Sequence, residues 1–263
     1  MKHLPLFLVL ALLFVLPVAV LSVSSLAPGW RFPQIWPREF SLRGLAFLVQ
    51  NRDQILTGLS FSFVYSLATV LVSFTLCLFP AMIFARHQFP GKALLEALLL
   101  TPALVPPMTF AMGLHFVFIK FSLADSLPGV VIILSMFSYP YMFRALTDGF
   151  QTLGNDLHIC ARNLGAGAFE TLVKVEIPLL VPAVAAGGSV VFLVAFSEYF
   201  LVFLIGGGSV PSFTGYLFPL LNSSNRSLAS ILTLIFLFLP VFLFVIMDTA
   251  MVRAFRKKGM IRN

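Results

Sequence analysis

The sequence predicts an all-α, polytopic membrane protein with six transmembrane helices, and three observations carry that prediction. First, 59% of the 263 residues are hydrophobic and only 10% are charged, against roughly 25% charged residues in ordinary soluble domains. Second, the apolar residues are gathered into runs long enough to cross a bilayer, which takes about 20 residues of helix. Third, one polar segment, Asp156–Pro178, stands between long uncharged runs.

The first apolar run, Leu4–Ala27, has features of a signal peptide because Lys2 precedes it. The run is long for a signal peptide, however, and Pro28 follows the small-x-small exit, which disfavours cleavage. We therefore interpret this run as a retained membrane anchor and as the first span.

Six apolar runs qualify as spans. The second is the clearest, because no charged residue occurs from residue 54 to residue 85. Pro102, Pro106 and Pro107 predict a kinked or partly unwound entry into the third, and such breaks survive in a membrane only where neighbours or water satisfy the freed backbone. The fourth is the shortest and contains Pro140. The six runs are Leu4–Ala27, Thr57–Ala85, Leu98–Ile119, Ser126–Phe143, Ile177–Ile205 and Leu228–Met247.

Six spans place both chain termini on one side of the membrane, and the basic residues indicate which side. With the N-terminus in the cytoplasm, eleven of the 17 Lys and Arg residues lie inside and six outside, which is the positive-inside arrangement. We therefore expect cytoplasmic termini and a cytoplasmic segment Asp156–Pro178. The expected organisation is one transmembrane domain, with the N-terminus and first span at 1–27, an outer loop at 28–56, a core region at 57–251 and a basic cytoplasmic tail at 252–263.

The polar segment has the pattern of two short helices joined by a glycine turn. Asn155 or Asp156 can cap a helix start, and a carboxylate there suits the positive end of the helix dipole. Gly165 and Gly167 interrupt an apolar stripe, as expected of a helix C-cap or a tight bend. Pro178 marks where the next element begins or turns. The stripe consists of Leu157, Ala161, Leu164 and Ala168.

The segment also carries a recognisable spacing of residues. Ala161–Ala166 reads ARNLGA and is followed by Phe169 and by Ile177-Pro178. This stretch resembles the cytoplasmic signature loop of ABC importer permeases, the inner-membrane subunits of binding-protein-dependent uptake systems. That pattern is Glu-Ala-Ala, three residues, Gly and, after an interval, Leu-Pro or Ile-Pro. Two further stretches resemble the family: Ser138–Tyr141 followed by Arg144, and Phe196–Tyr199 with Gly206-Gly207.

The resemblance implies that the loop between spans four and five forms a coupling helix seated in a groove of a separate ATP-hydrolysing subunit. One departure is that Ile159 stands at the acidic first position of the family pattern. One polar contact is therefore missing or replaced, and His158 is the candidate replacement. Periodicity alone leaves open a solvated amphipathic helix on the membrane surface. The residues expected to form the coupling loop are Asp156, His158, Ala161, Arg162, Leu164, Gly165, Ala166, Phe169 and Pro178.

The resemblance further implies the partners of such a subunit. Six helices make half of a solute pathway, so we expect a second permease subunit, identical or related, together with an extracytoplasmic solute-binding protein. The expected location is the bacterial inner membrane. Span five and the chain length most resemble polyamine, ferric-iron or phosphonate-type systems. The alternative, a self-contained secondary transporter or channel, predicts internal repeats and paired intramembrane charges, and neither is clear in the sequence.

Ionisable residues within spans are costly and are therefore treated as functional candidates. Glu198 lies late in span five and His115 late in span three. Glu198, with Tyr199 and His115, is a candidate lining of the substrate pathway, where a carboxylate would attract a cationic solute. The structural alternative is a pair between Glu198 and either His115 or Lys120 that fixes helix packing.

Several functions are excluded by missing motifs. A nucleotide-binding loop needs G-x-x-x-x-G-K-[ST], and after Gly149–Gly154 the sequence continues with Asn155. Metal-ligand spacings such as His-x-x-x-His or Cys-x-x-Cys do not occur, and the basic residues are scattered over loops and the tail rather than clustered for nucleic acid. We expect no catalytic residue, metal or cofactor, so the energy for transport must come from a partner.

Overall fold

The computed structural model describes residues 4–30, 33–223 and 225–257. Among these residues the regular structure is helical throughout, with no strand. Thr101–Ala103 forms a short 3-10 turn, and Leu172–Glu176 forms a π-helical turn. The helices are α1 (Leu4–Leu26), α2 (Arg43–Gln50), α3 (Arg52–Arg86), α4 (Lys92–Leu100), α5 (Pro107–Lys120), α6 (Leu127–Leu153), α7 (Asp156–Asn163), α8 (Ala168–Thr171), α9 (Ile177–Ser197), α10 (Phe200–Gly206), α11 (Phe213–Leu221) and α12 (Arg226–Lys257).

Within the described residues, four helices are long and apolar enough to cross a membrane, and a bent pair makes a fifth candidate. The fold class, an all-α polytopic membrane protein, is therefore confirmed. The pair consists of Lys92–Ala103 and Pro107–Lys120, which meet at 91°, so the prolines break span three as predicted. The predicted count of six spans includes the run that begins at Leu4, and it stays a prediction. The four single candidates are Arg52–Arg86, Leu127–Leu153, Ala168–Ser197 and Arg226–Ile246.

Two predicted span boundaries are corrected by the helices. Span four was expected to end at Phe143, but α6 continues to Leu153, because a helix can continue with polar residues after its apolar run ends. Span five was expected to be one helix from residue 177 to residue 205. Instead α9 ends at Ser197, and Glu198 takes an extended backbone with ψ 120° before α10 begins. The segment 28–56, expected to be an outer loop, contains α2 and the first turn of α3.

The chain divides into two compact units, residues 1–60 with 212–243 and residues 61–211 with 244–263. In the first unit, α12 is joined to the end of α1 by hydrogen bonds between serines. The Ser227 hydroxyl donates to the Ser25 carbonyl (2.5 Å), and the Ser230 hydroxyl donates to the Ser24 hydroxyl (3.0 Å). In a membrane the hydrophobic effect does not drive helices together, because lipid tails are as apolar as the helix surfaces. Hydrogen bonds between serines help to hold such helices together.

In the second unit, α6 packs closely against α9 along a line of small residues. A Cβ atom added at Gly149 would lie 2.5 Å from the Ala183 Cβ, and one added at Gly187 would lie 2.8 Å from the Ala145 Cβ. Real Cβ atoms do not approach so closely, so only glycine permits this helix spacing. The chain that follows α6 is the polar segment with the predicted site, which therefore rests on a closely packed helix pair.

Candidate functional site

The polar segment folds as predicted from the sequence: a short helix, a glycine turn and a second helix. After α7 the Gly165 N–H donates to the Arg162 carbonyl (3.0 Å), and the Ala166 N–H donates to the Ala161 carbonyl (3.1 Å). These two bonds form a Schellman motif, which requires a left-handed residue after the helix. Gly165 supplies that residue, with φ +90°. The predicted glycine C-cap is confirmed.

The start of α7 differs from the prediction in one respect. Asn155 occupies the N-cap position, but its side chain makes no capping hydrogen bond. Asp156 lies in the first turn of the helix, where its negative charge faces the positive end of the helix dipole. The start of α7 is therefore supported by charge rather than by a side-chain cap.

The polar segment presents an exposed apolar surface, which we call the α7 surface. It comprises Leu157 (46% exposed), Ile159 (52%), Leu164 (89%) and Phe169 (75%). Ala161 is half-buried, and Ala168 is exposed. Large apolar side chains left exposed on an ordered segment indicate a surface that binds another molecule.

On its inner side, α7 is linked to the membrane helices by three side chains, Glu176, Arg86 and His158, which we call the Glu176 cluster. Glu176 is 3% exposed. Its Oε1 atom accepts a hydrogen bond from Arg86 Nη2 (2.8 Å) and lies 2.7 Å from His158 Nδ1. The Arg86 guanidinium lies 5.2 Å from the centroid of the Phe150 ring. One carboxylate therefore joins the end of α3, the ring of a residue on α6, helix α7 and the π turn before α9.

The π turn explains how an acidic residue beside a membrane helix becomes buried. Within the turn Leu172 and Glu176 face inward, whereas Lys174 is exposed and donates to the Glu170 carboxylate at 2.6 Å. Pro178, in the first turn of α9, has no N–H to donate to the preceding turn. The backbone hydrogen-bond ladder of the helix is thus interrupted at Pro178, where the sequence predicted an element boundary. Such π turns are frequent at functional positions.

A half-open cavity of about 500 Å³ lies beside the Glu176 cluster. Its walls are mainly apolar and include Phe79 of α3, Ile159 of α7 and Leu172 of the π turn, and the three members of the Glu176 cluster also line it. Ile159, which stands at the acidic position of the family pattern, therefore faces the same cavity as the Glu176 carboxylate. His158, the candidate replacement for the missing acid, contacts that carboxylate directly.

Sequence reasoning identified His158 but missed Arg86 and Glu176. The two residues are 90 positions apart, so no local pattern could pair them. A signal was nevertheless present, because Arg86 is the first charge after the uncharged run of residues 54–85 and Glu176 is the last acid before the Ile-Pro of span five. A charge at each of two span ends is a candidate for pairing.

The predicted pathway residues lie elsewhere in the second unit. Glu198 occupies the break between α9 and α10, and its Oε1 accepts from the N–H groups of Phe200 (3.0 Å) and Leu201 (3.2 Å). The Tyr199 ring stacks on the Phe203 ring, with 5.6 Å between centroids. His115 is a half-buried residue of α5. The Glu198 carboxylate therefore helps to start α10, and its part in a solute pathway stays a prediction.

Comparison with known proteins identifies the family. A family model described as "Binding-protein-dependent transport system inner membrane component" matches residues 77–257, most of the chain and all of the polar segment. The chain belongs to this family. The predicted permease class is thereby confirmed.

Individual relatives are more distant. The molybdate/tungstate transport system permease protein WtpB of Thermococcus kodakarensis is 28% identical over 138 residues, which cover 52% of this chain and 56% of the relative. The molybdenum transport system permease protein ModB of Escherichia coli K12 is 30% identical over 143 residues, 49% of this chain and 62% of the relative. The sulfate transport system permease protein CysT of the same strain is 24% identical over 208 residues, 74% of this chain and 70% of the relative. The chain spans about half the length of the first curated relatives that it matches.

A solved structure shares the fold over nearly the whole chain. It is the crystal structure of a bacterial ABC transporter involved in the import of the acidic polysaccharide alginate. The TM-score is 0.67 with 17% sequence identity, and the match covers 93% of this chain and 94% of that chain. At this identity the likeness shows the fold alone.

Proposed function

We propose that this chain is the membrane-spanning subunit of an ATP-driven importer, that it forms half of the solute pathway, and that a separate ATPase subunit docks on its α7 surface. The observation that carries this proposal is the combination of an ordered Schellman turn at Gly165 with the exposed side chains of Leu164 and Phe169 beside it. An ordered apolar surface that the described part of the chain leaves exposed is suited to a preformed groove on a partner.

The shape of the α7 segment supports docking more than a resting position on the membrane surface. A membrane-surface helix buries one apolar face along its length. Here the most exposed apolar side chains of the segment flank the glycine turn: Leu164 is the C-cap of α7, and Phe169 lies in α8. A protruding turn of this kind fits a concave site on a soluble protein. The proposed contacts are Asp156, His158, Ala161, Arg162, Leu164, Gly165, Ala166, Phe169 and, at the base of the loop, Pro178.

The remaining assembly follows from the same proposal. A second permease subunit, identical or related, completes the pathway, and an extracytoplasmic binding protein delivers the solute to the outer side. We place the α7 surface and both termini in the cytoplasm, in agreement with the distribution of basic residues. The membrane is proposed to be the bacterial inner membrane.

The solute remains to be found by experiment, and the relatives suggest where to begin. Their names specify molybdate, tungstate and sulfate, whereas the sequence resemblance pointed to polyamine, ferric-iron or phosphonate systems. The two N–H groups that bind Glu198 Oε1 give this carboxylate a structural task, which weakens the argument for a cationic solute. We therefore propose that oxyanions be tested first, by calorimetry on the binding protein encoded beside the permease.

Docking is tested with the variant Leu164→Glu. Burying an unpaired carboxylate in an apolar contact costs about 3 kcal/mol or more, so the affinity for the ATPase should fall by more than about a hundredfold. The assay is co-purification with the ATPase subunit of the proposed importer, produced together with each variant. Gln151→Glu is the matched control, because it adds the same charge at an exposed position on α6. Equal retention of the ATPase by both variants would contradict the proposal, and uptake without any ATPase would favour a self-contained transporter.

A further inference from the structure

We propose that Glu176 is the positioning residue that transmits movement of α7 to the membrane helices α3 and α9, through its contacts with His158 and Arg86. This inference rests on the proposed docking of an ATPase at α7. It assigns a task to a buried charged cluster that neither the docking surface nor the solute pathway requires.

The chain connects α7 to neighbouring helices at both of its ends, and both connections contain glycine. Gly154 lies between α6 and α7, and the turn that contains Gly165 and Gly167 leads to α8. At Gly165 and Gly167 an added Cβ would meet no atom within 4 Å, so the turn is held by its own hydrogen bonds rather than by packing at the glycines. Glycine also has the widest backbone freedom of any residue. A displacement of α7 large enough to break those hydrogen bonds can therefore be absorbed in the turn at Gly165 instead of reaching α8.

The other connection, through side chains, is the Glu176 cluster, which is short; its Arg86–Glu176 pair is buried, whereas the His158 side chain is 33% exposed. The distances from Glu176 Oε1 to Arg86 Nη2 and to His158 Nδ1 are 2.8 Å and 2.7 Å. The side chain of Glu176 is 4% exposed and that of Arg86 is 11% exposed. Charge-assisted hydrogen bonds are roughly twice as strong as neutral ones, and exclusion of water strengthens them further. A movement of His158 therefore acts on the Glu176 carboxylate with little slack.

Glu176 and Arg86 belong to two different candidate spans, so the contact between them can act on both. Glu176 lies near the start of the helical stretch Ala168–Ser197, which contains a candidate span. Arg86 is the last residue of α3, another candidate span, and its guanidinium rests on the Phe150 ring of α6. Both spans are thus held at their ends by a single carboxylate. When α7 moves, the two helix ends must move with it or the contact between His158 and Glu176 must break.

The inference is tested with variants that remove the charges of Glu176 and Arg86 but keep side chains of similar size. Glu176→Gln leaves Arg86 buried without its counter-charge and can impair folding. The double variant Arg86→Met/Glu176→Leu replaces both partners by apolar side chains of similar size, a change that can be nearly neutral for stability in buried pairs. Glu170→Gln is the matched control, because it removes a carboxylate six positions away whose pair with Lys174 is exposed.

The variants are compared in the assembled complex with the ATPase and binding protein, reconstituted in vesicles. We expect the double variant to retain the ATPase, its basal ATP hydrolysis and its unfolding temperature. Stimulation of hydrolysis by the loaded binding protein should fall by about tenfold, as for the loss of a typical coupling free energy, and the ATP hydrolysed per solute imported should rise. Glu170→Gln should keep full stimulation.

The outcomes separate this inference from the docking proposal. Normal docking with unchanged stimulation in the double variant would overturn the positioning role of Glu176 and leave docking intact. Failure of the unmodified chain to retain the ATPase would overturn the docking proposal and this inference with it. An equal loss of stimulation in Glu170→Gln would show that any charge in the segment suffices and would also overturn the inference.

Discussion

Replacement of Gly165 by alanine tests whether the turn after α7 must keep its left-handed backbone. Gly165 has φ +90°, and an added Cβ would meet no atom within 4 Å. Steric overlap with neighbours is therefore absent, and the cost comes from the backbone alone, about 1–2 kcal/mol for an L-residue in this region. Gly167 is a matched control two residues away, since it has φ −67° and ψ 161° and equally open surroundings.

We expect Gly165→Ala to lower the affinity for the ATPase although the side chains of the α7 surface are unchanged. A cost of about 1–2 kcal/mol changes an equilibrium by a factor of about 5–30, so Gly165→Ala should weaken docking by that factor. Gly167→Ala should bind as the unmodified chain does, because an extended backbone accepts alanine. The measurement is a titration of each detergent-solubilised variant with the purified ATPase. Equal affinities for the two variants would refute the reasoning that the Schellman turn positions the docking surface.

Two further predictions concern the helices around the site. Gly149→Ala places a Cβ 2.5 Å from the Ala183 Cβ and should lower the free energy of unfolding by about 1–3 kcal/mol. Gly113→Ala is the control, because a Cβ there has open space, and it should be neutral or slightly stabilising. Equal melting temperatures of the two variants would contradict this prediction. Glu198→Gln keeps an oxygen for the two N–H groups of α10 and should preserve stability and uptake, whereas Glu198→Ala should cost about 1 kcal/mol. Loss of uptake in a stable Glu198→Gln protein would instead place that carboxylate in the solute pathway.

The features that could be predicted from the sequence are those determined by local backbone chemistry. The turn at Gly165 was predictable because only glycine readily adopts the left-handed conformation that closes a Schellman motif. The bend before α5 was predictable from three closely spaced prolines, of which Pro106 and Pro107 stand at the break itself. In both cases the residues that decide the conformation are neighbours in the chain.

The features that sequence reasoning missed depend on residues that are far apart in the chain or on where a helix ends. The pairing of Glu176 with Arg86 joins two residues that are far apart in sequence, and the isolated acid looked like one more polar residue of a solvated loop. The end of α6 at Leu153 was missed because hydropathy registers the membrane core and not the helix that projects from it. The break at Glu198 was hidden inside an apolar run, where a single carboxylate changes the backbone by capping the next helix.

Helix α9 extends from the π turn at Leu172–Glu176 to Ser197, so a tilt at its base acts on its far end as on a lever. Ser197 is 21 residues beyond Glu176, about 30 Å along the helix axis, so a tilt of about ten degrees at Glu176 would carry Ser197 through roughly 5 Å. Glu198 and the start of α10 lie directly at that far end. A small rotation at the proposed docking surface would therefore be magnified at the far end of α9, where the helix breaks.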